Sequence, residues 1–337
     1  MSDLVLLLAD DRAKPARRRG LWRWVRWLLL ILVVSVVALT AASFGYNFVT
    51  NGPAPRPAGL LMAAGGGFDT RYLEWGTSGT PIVLVPGEFE TADTFAVLGP
   101  VLGLHHRVYA IDVTGTGYSA PSPPYDAAHE ASQVLAFLSV EGLTGSNAPI
   151  LVGHSAGAAV AGMAAIEGGA RYVHGVVFLD GDALPFRGVP EFAGYAVVNP
   201  YRTSLLRIAL SQSWLIRDLY NSQCGPTCPA LTAAGVQAWV EPLEQPGFYG
   251  ELEYTLQHGI ASMNDAQFAA LRLVQVPKLV VYGVDDSQMS ALDAEQTAAR
   301  IGAPAPVTVP GEHLVMISSP EQVAAAIDSL LALPAAG

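Results

Sequence analysis

Residues 149–165 constrain this chain most. The apolar run Pro149-Ile150-Leu151-Val152 leads into Gly153-His154-Ser155-Ala156-Gly157, and the small residues 158–165 follow at once. An apolar run, a glycine-flanked turn and a small-residue run predict strand, sharp turn and helix. Gly153 and Gly157 carry no Cβ, so strand and helix can close together and Ser155 can tolerate a strained backbone. The Ser155 hydroxyl then projects from the top of a sheet. It lies at a helix N-terminus, whose dipole favours developing negative charge. In that context G-x-S-x-G predicts a presented serine nucleophile.

The rest of the chain repeats the strand–helix rhythm. Apolar runs at 71–75, 81–85, 107–111, 150–152, 175–179, 278–282 and 306–309 alternate with longer helical patterns. That spacing predicts an α/β fold with a mostly parallel sheet flanked by helices. Ligands of such sheets bind beyond the carboxyl ends of the strands, so the strand-ending loops are where chemistry is sought. Roughly 90 residues between Leu179 and Lys278 lack a convincing strand, too many for one connection. Their helical patterns and aromatic residues predict an inserted helical cap over 183–275, splitting a core of 68–182 and 276–337.

Charge is placed unevenly. Residues 1–26 hold seven Lys/Arg against three Asp/Glu, whereas the remaining chain has a net charge of −15. An acidic body with a single lysine past residue 26, Lys278, argues against nucleic-acid binding. Residues 27–49 contain no charged residue, which predicts a transmembrane helix. Arg17, Arg18, Arg19, Arg23 and Arg26 precede it, so the positive-inside rule places the short basic segment 1–26 in the cytoplasm and the body outside the cell membrane. The apolar run outlasts a usual signal core, favouring a retained single-pass anchor. Cleavage and secretion, with small residues at Thr40-Ala41-Ala42, is the alternative. The prolines and glycines of 50–67 read as a linker. Cys224 and Cys228 are expected to form a short-loop disulfide if exported, with two free thiols as the alternative. No metal-ligand pattern and no organic cofactor is implied.

A serine needs a base, and the base an orienting acid. Two late strand ends supply Gly283-Val284-Asp285-Asp286 and Gly311-Glu312-His313. Together with Ile111–Ser119, which is similar to a D-x-x-G-x-G-x-S turn, and with the elbow at Ser155, the chain resembles the α/β-hydrolase family. The resemblance implies Ser155 as nucleophile, His313 as base and then acid, and Asp286 as the acid orienting it, in the required chain order. Asp285 is the rival acid, Asp180 and Asp182 are a second rival pair, and Asp112 is expected to be a structural turn residue. The resemblance also places the oxyanion hole at the backbone N–H of Ala156 and one from Pro86-Gly87-Glu88-Phe89-Glu90, with Glu88 matching the second donor and Phe89 as fallback. The family usually has His-Gly where this chain has Pro86-Gly87. The Glu88 carboxylate is expected to face solvent, because beside an oxyanion it would be repulsive. His154 is expected to shape the turn.

These features imply a membrane-anchored serine hydrolase acting on a small-molecule, apolar carboxylic ester through an acyl-enzyme. Peptidase, thioesterase, C–C hydrolase and cofactor-free haloperoxidase chemistry share the same triad. A non-catalytic binding module on the scaffold is the alternative of another class.

Overall fold

The computed structural model describes residues 16–52, 56–186, 188, 190–196 and 198–331. The chain divides into two units. One comprises the N-terminal region to Asn51 with the short segment Asn199–Ser204. Its helix, Ala16–Val49, begins before the uncharged run. The stretch Trp22–Val49 is long and apolar enough to cross a membrane, with a mean hydropathy of 2.5. Within this unit the Asn47 side-chain amide donates to the Pro200 carbonyl at 2.9 Å.

The other unit contains one eight-stranded sheet. Its strands are β1 Leu61–Gly65, β2 Phe68–Trp75, β3 Pro81–Val85, β4 Arg107–Ile111, β5 Ile150–His154, β6 Gly175–Leu179, β7 Lys278–Gly283 and β8 Val307–Val309. They lie in the order β1-β2-β4-β3-β5-β6-β7-β8. β1 and β2 pair antiparallel, as do β2 and β4, and every other pairing is parallel. The central strands are apolar on both faces because both are covered. Alternate residues sort cleanly. Val83, Tyr109, Leu151, Phe178 and Val280 face helices Ala127–Val140, Gly157–Tyr172, Asp265–Leu273 and Ala291–Ile301. Ile82, Val108, Val152, Val177 and Val281 face helices Leu98–Leu102, Val315–Ser318 and Pro320–Leu330.

Two expected boundaries move. The anticipated linker 50–67 contains β1, which extends the sheet beyond Phe68. Gly66 and Gly67 have φ of 62° and 91° and make the two-residue hairpin turn that admits it. The anticipated cap 183–275 includes Met263, Phe268 and Leu271, whose side chains lie in the core cluster under Gly157–Tyr172. Helix Asp265–Leu273 therefore covers the sheet. Ahead of it, helices Ser213–Cys224, Ala233–Val240 and Pro246–His258 belong to the insertion, where Leu210, Val236 and Val240 make a small core of their own. Cys224 and Cys228 are joined by a disulfide.

Candidate active site

The elbow is built as its glycines demand. Ser155 has φ of 50°, the left-handed region that a side chain rarely enters and that costs about 1–3 kcal/mol. A Cβ on Gly153 would lie 2.1 Å from the Gly157 carbonyl, and one on Gly157 would lie 2.4 Å from that of Pro86. Nothing larger than hydrogen fits at either place. Ser155 therefore stands between β5 and the helix Gly157–Tyr172, with the buried Ala156 supplying the first N–H of that helix end.

The loops after β7 and β8 bring the expected partners together. His313 Nδ1 lies 2.9 Å from Asp286 Oδ2, and both residues are buried. The Gln288 N–H donates to the other Asp286 oxygen at 2.7 Å. Burial would push the Asp286 carboxyl up, but the His313 hydrogen bond and charge hold it below the usual range. Asp285, the rival acid, is exposed, and its backbone N–H donates to the Gly311 carbonyl at 3.0 Å. Asp180 sits behind Asp286. Burial, then the Asp286 charge, pushes its carboxyl well above the usual range. Its Oδ1 accepts the Gly283 N–H at 2.6 Å. Asp182 accepts the Leu184 N–H at 2.9 Å. Asp112 is the expected turn residue: it accepts N–H groups from Ala92 and Tyr118 and the Arg71 guanidinium.

Ser155, Ala156 and His313 line one cavity of about 490 Å³. Leu184, Pro185, Phe186, Ile260, Ala261 and Met289 form its apolar walls, and Asp180, Asp182, Ser287 and Gln288 its polar part. The cavity lies beyond the carboxyl ends of β5 to β8, where an open α/β sheet receives its ligand. A hollow of similar size around Thr77–Pro81 and Ser146–Ala148 lies at the opposite strand ends.

The loop after β3 approaches from the other side. A Cβ on Gly87 would lie 2.9 Å from the Ser155 Cβ, so only glycine fits beside the nucleophile. The Glu90 N–H returns to the Gly87 carbonyl at 3.1 Å, and Phe89 takes φ of 60°, making a tight turn. The Glu88 and Ala156 N–H groups have no backbone acceptor among the described residues. Contrary to expectation, the Glu88 carboxyl does not face solvent. It accepts the Thr255 hydroxyl and the Ala261 N–H, tying the loop to the insertion, and burial pushes it up to about 7. Glu130 and Glu251, both buried, are raised well above the usual range by burial and then by the Glu88 charge. The Glu88 carboxyl is thus turned toward Thr255 and Ala261, and burial weakens its ionisation.

Two residues carry more than their sequence positions suggested. His154 does more than shape the turn: its Nδ1 lies 2.8 Å from Glu90 Oε2 and its Nε2 2.9 Å from the His313 carbonyl oxygen. Glu90 also accepts the Gly87 N–H at 3.0 Å. No pattern in the sequence marked Glu90, because its partner His154 lies 64 residues away, at the end of the neighbouring strand.

The sequence profile of the alpha/beta hydrolase family matches residues 82–326. Over 104 residues the chain is 35% identical to N-formylmaleamate deformylase of Pseudomonas putida, spanning 30% of this chain and only 38% of that enzyme. Over 279 residues it is 25% identical to 2-hydroxy-6-oxo-6-(2'-aminophenyl)hexa-2,4-dienoic acid hydrolase of Metapseudomonas resinovorans, 79% of this chain and 88% of the relative. The crystal structure of a bacterial membrane phospholipase A shares the fold with a TM-score of 0.61 at 18% identity, covering 92% of this chain and 98% of the other. The profile spans the sheet from β3 onward and both late turns, and the chain belongs to the alpha/beta hydrolase family.

Proposed function

We propose that this protein is a serine hydrolase that cleaves a carboxylic ester with an apolar acyl or alcohol part. One observation carries the reading: the His313–Asp286 hydrogen bond ends on a cavity that Ser155 also lines. Asp286 holds the Nδ1–H tautomer, leaving His313 Nε2 free to take the Ser155 proton as the hydroxyl attacks the ester carbonyl. The N–H groups of Ala156 and Glu88 receive the oxyanion, helped by the helix end. His313 then gives the proton to the departing alcohol, and water, activated by His313, releases the acid from Ser155. The apolar walls from Leu184 to Phe186, with Ile260 and Met289, favour a largely apolar substrate.

The same proposal places the enzyme on a membrane. Trp22–Val49 serves as a retained anchor, with the preceding arginines cytoplasmic and the hydrolase unit outside. The Cys224–Cys228 disulfide fits an oxidising compartment. The two relatives named a deformylase and a dienoic acid hydrolase favour a second reading, hydrolysis of an N-formyl or C–C bond by the same three residues.

A fluorophosphonate probe and a p-nitrophenyl ester series, applied to the full chain, test the proposal. Labelling of the wild type and its loss in Ser155→Ala, with folding retained, are expected. Ester turnover persisting in Ser155→Ala would overturn it, and turnover of formamides without turnover of esters would favour the second reading.

A further inference from the structure

We propose that Glu90 and His154 are positioning residues, a buried ion pair that fastens the loop after β3 and the His313 loop to the two sides of the nucleophile elbow. The inference rests on the hydrolase reading above. Its basis is the count of donors and acceptors around one ring. His154 is fully buried, and both of its nitrogens meet acceptors. The His313 carbonyl can only accept, so His154 Nε2 carries hydrogen. His154 Nδ1 faces the same Glu90 oxygen that accepts the Gly87 N–H, and a second N–H there gives that oxygen two donors, which makes His154 an imidazolium facing an ionised Glu90. The titration directions agree. Burial would lower His154, but the Glu90 charge raises it, and burial would raise Glu90, but the His154 charge lowers it.

The pair connects three loops. Glu90 closes the turn whose Gly87 lies against Ser155, His154 immediately precedes Ser155, and the far ring nitrogen holds the backbone of His313 itself. Neither residue faces the cavity, so neither touches the reacting atoms. A neutral imidazole has one N–H. A glutamine amide can meet the bare ring nitrogen only through its N–H2, and that atom cannot also accept the Gly87 N–H, so neutralising Glu90 releases one tether: the Gly87 turn, the loop contact or the His313 carbonyl.

The ring of His154 also lies 4.8 Å from the ring of His313, so a displacement of His154 carries directly to the base.

The test compares Glu90→Gln with wild type in the full chain, using a p-nitrophenyl ester from pH 5 to 9. We expect kcat to fall about tenfold or more, KM to stay within about twofold, and fluorophosphonate labelling to slow in parallel. Glu90→Asp, which retains the charge, is expected to recover part of kcat. Should E90Q not fold, the double variant E90Q/H154Q leaves no buried charge and is expected to be as slow as predicted for E90Q. Wild-type kcat in folded E90Q, or in the double variant, would overturn the proposal. Ser155→Ala run alongside separates the two readings: an inactive S155A with wild-type-like E90Q rejects only this pair, whereas an active S155A rejects the hydrolase assignment beneath it.

Discussion

Replacing Glu88 by Gln tests whether the loop beside the nucleophile holds a proton. Burial favours the neutral carboxyl, and the hydrogen bonds from Thr255 and Ala261 only partly oppose it, leaving Glu88 at about 7 against an ordinary 4.5. Between those values the folded chain holds a proton that the unfolded chain has released. The stability contributed by neutral Glu88 is therefore complete below about pH 4.5 and is lost as pH rises through 7. At about 1.4 kcal/mol per pH unit the interval corresponds to at most about 3 kcal/mol, and partial solvent access at this loop reduces it toward 1. Gln keeps the shape and the acceptor oxygen but never ionises. It also removes the charge that raises Glu251 and Glu130. Unfolding of the full chain in detergent, followed by circular dichroism, should show E88Q and wild type nearly equal at pH 5. At pH 8.5 the variant should be more stable by about 1–3 kcal/mol, a Tm gain of several degrees. An equal difference at both pH values, or a less stable variant at pH 8.5, would refute the reasoning.

Asp286→Asn should leave the fold intact and lower kcat by about 10³–10⁴, because the wrong His313 tautomer is then held. Asp285→Asn, at an exposed position, should stay within about twofold, and a reversal of the two would reassign the acid. Removing the disulfide in Cys224→Ser/Cys228→Ser should cost about 2 kcal/mol, the chain-entropy value for so short a loop. Denaturant titration checks this, and an unchanged midpoint would show that the bond constrains little.

Much of the core was legible because its signals are local. The buried central strands β3 to β7 read as apolar runs, and β2 and β8 also stood out from the chain around them. β1 did not, since Leu61-Met62-Ala63-Ala64-Gly65 has little β-branched character and follows a proline-rich stretch. The pair Gly66-Gly67 before Phe68 was the available hairpin signal. The cap boundary slipped for the opposite reason. Asp265–Leu273 reads as one more helix in a helical region, and only its burial against Gly162 through Met263 and Leu271 assigns it to the core layer.

The sequence by itself determined the elbow at Ser155, the order in which Asp286 and His313 follow it, the apolar N-terminal segment and the family. Each rests on a spacing or composition that is local in the chain. Tertiary structure alone decided which aspartate meets His313, where the Glu88 carboxyl goes and what His154 holds. Those outcomes depend on burial and on partners brought from strands far apart in sequence. A carboxylate reads the same whether it is solvated, buried against Thr255 or set against His154, and only the surrounding dielectric and donors distinguish the three.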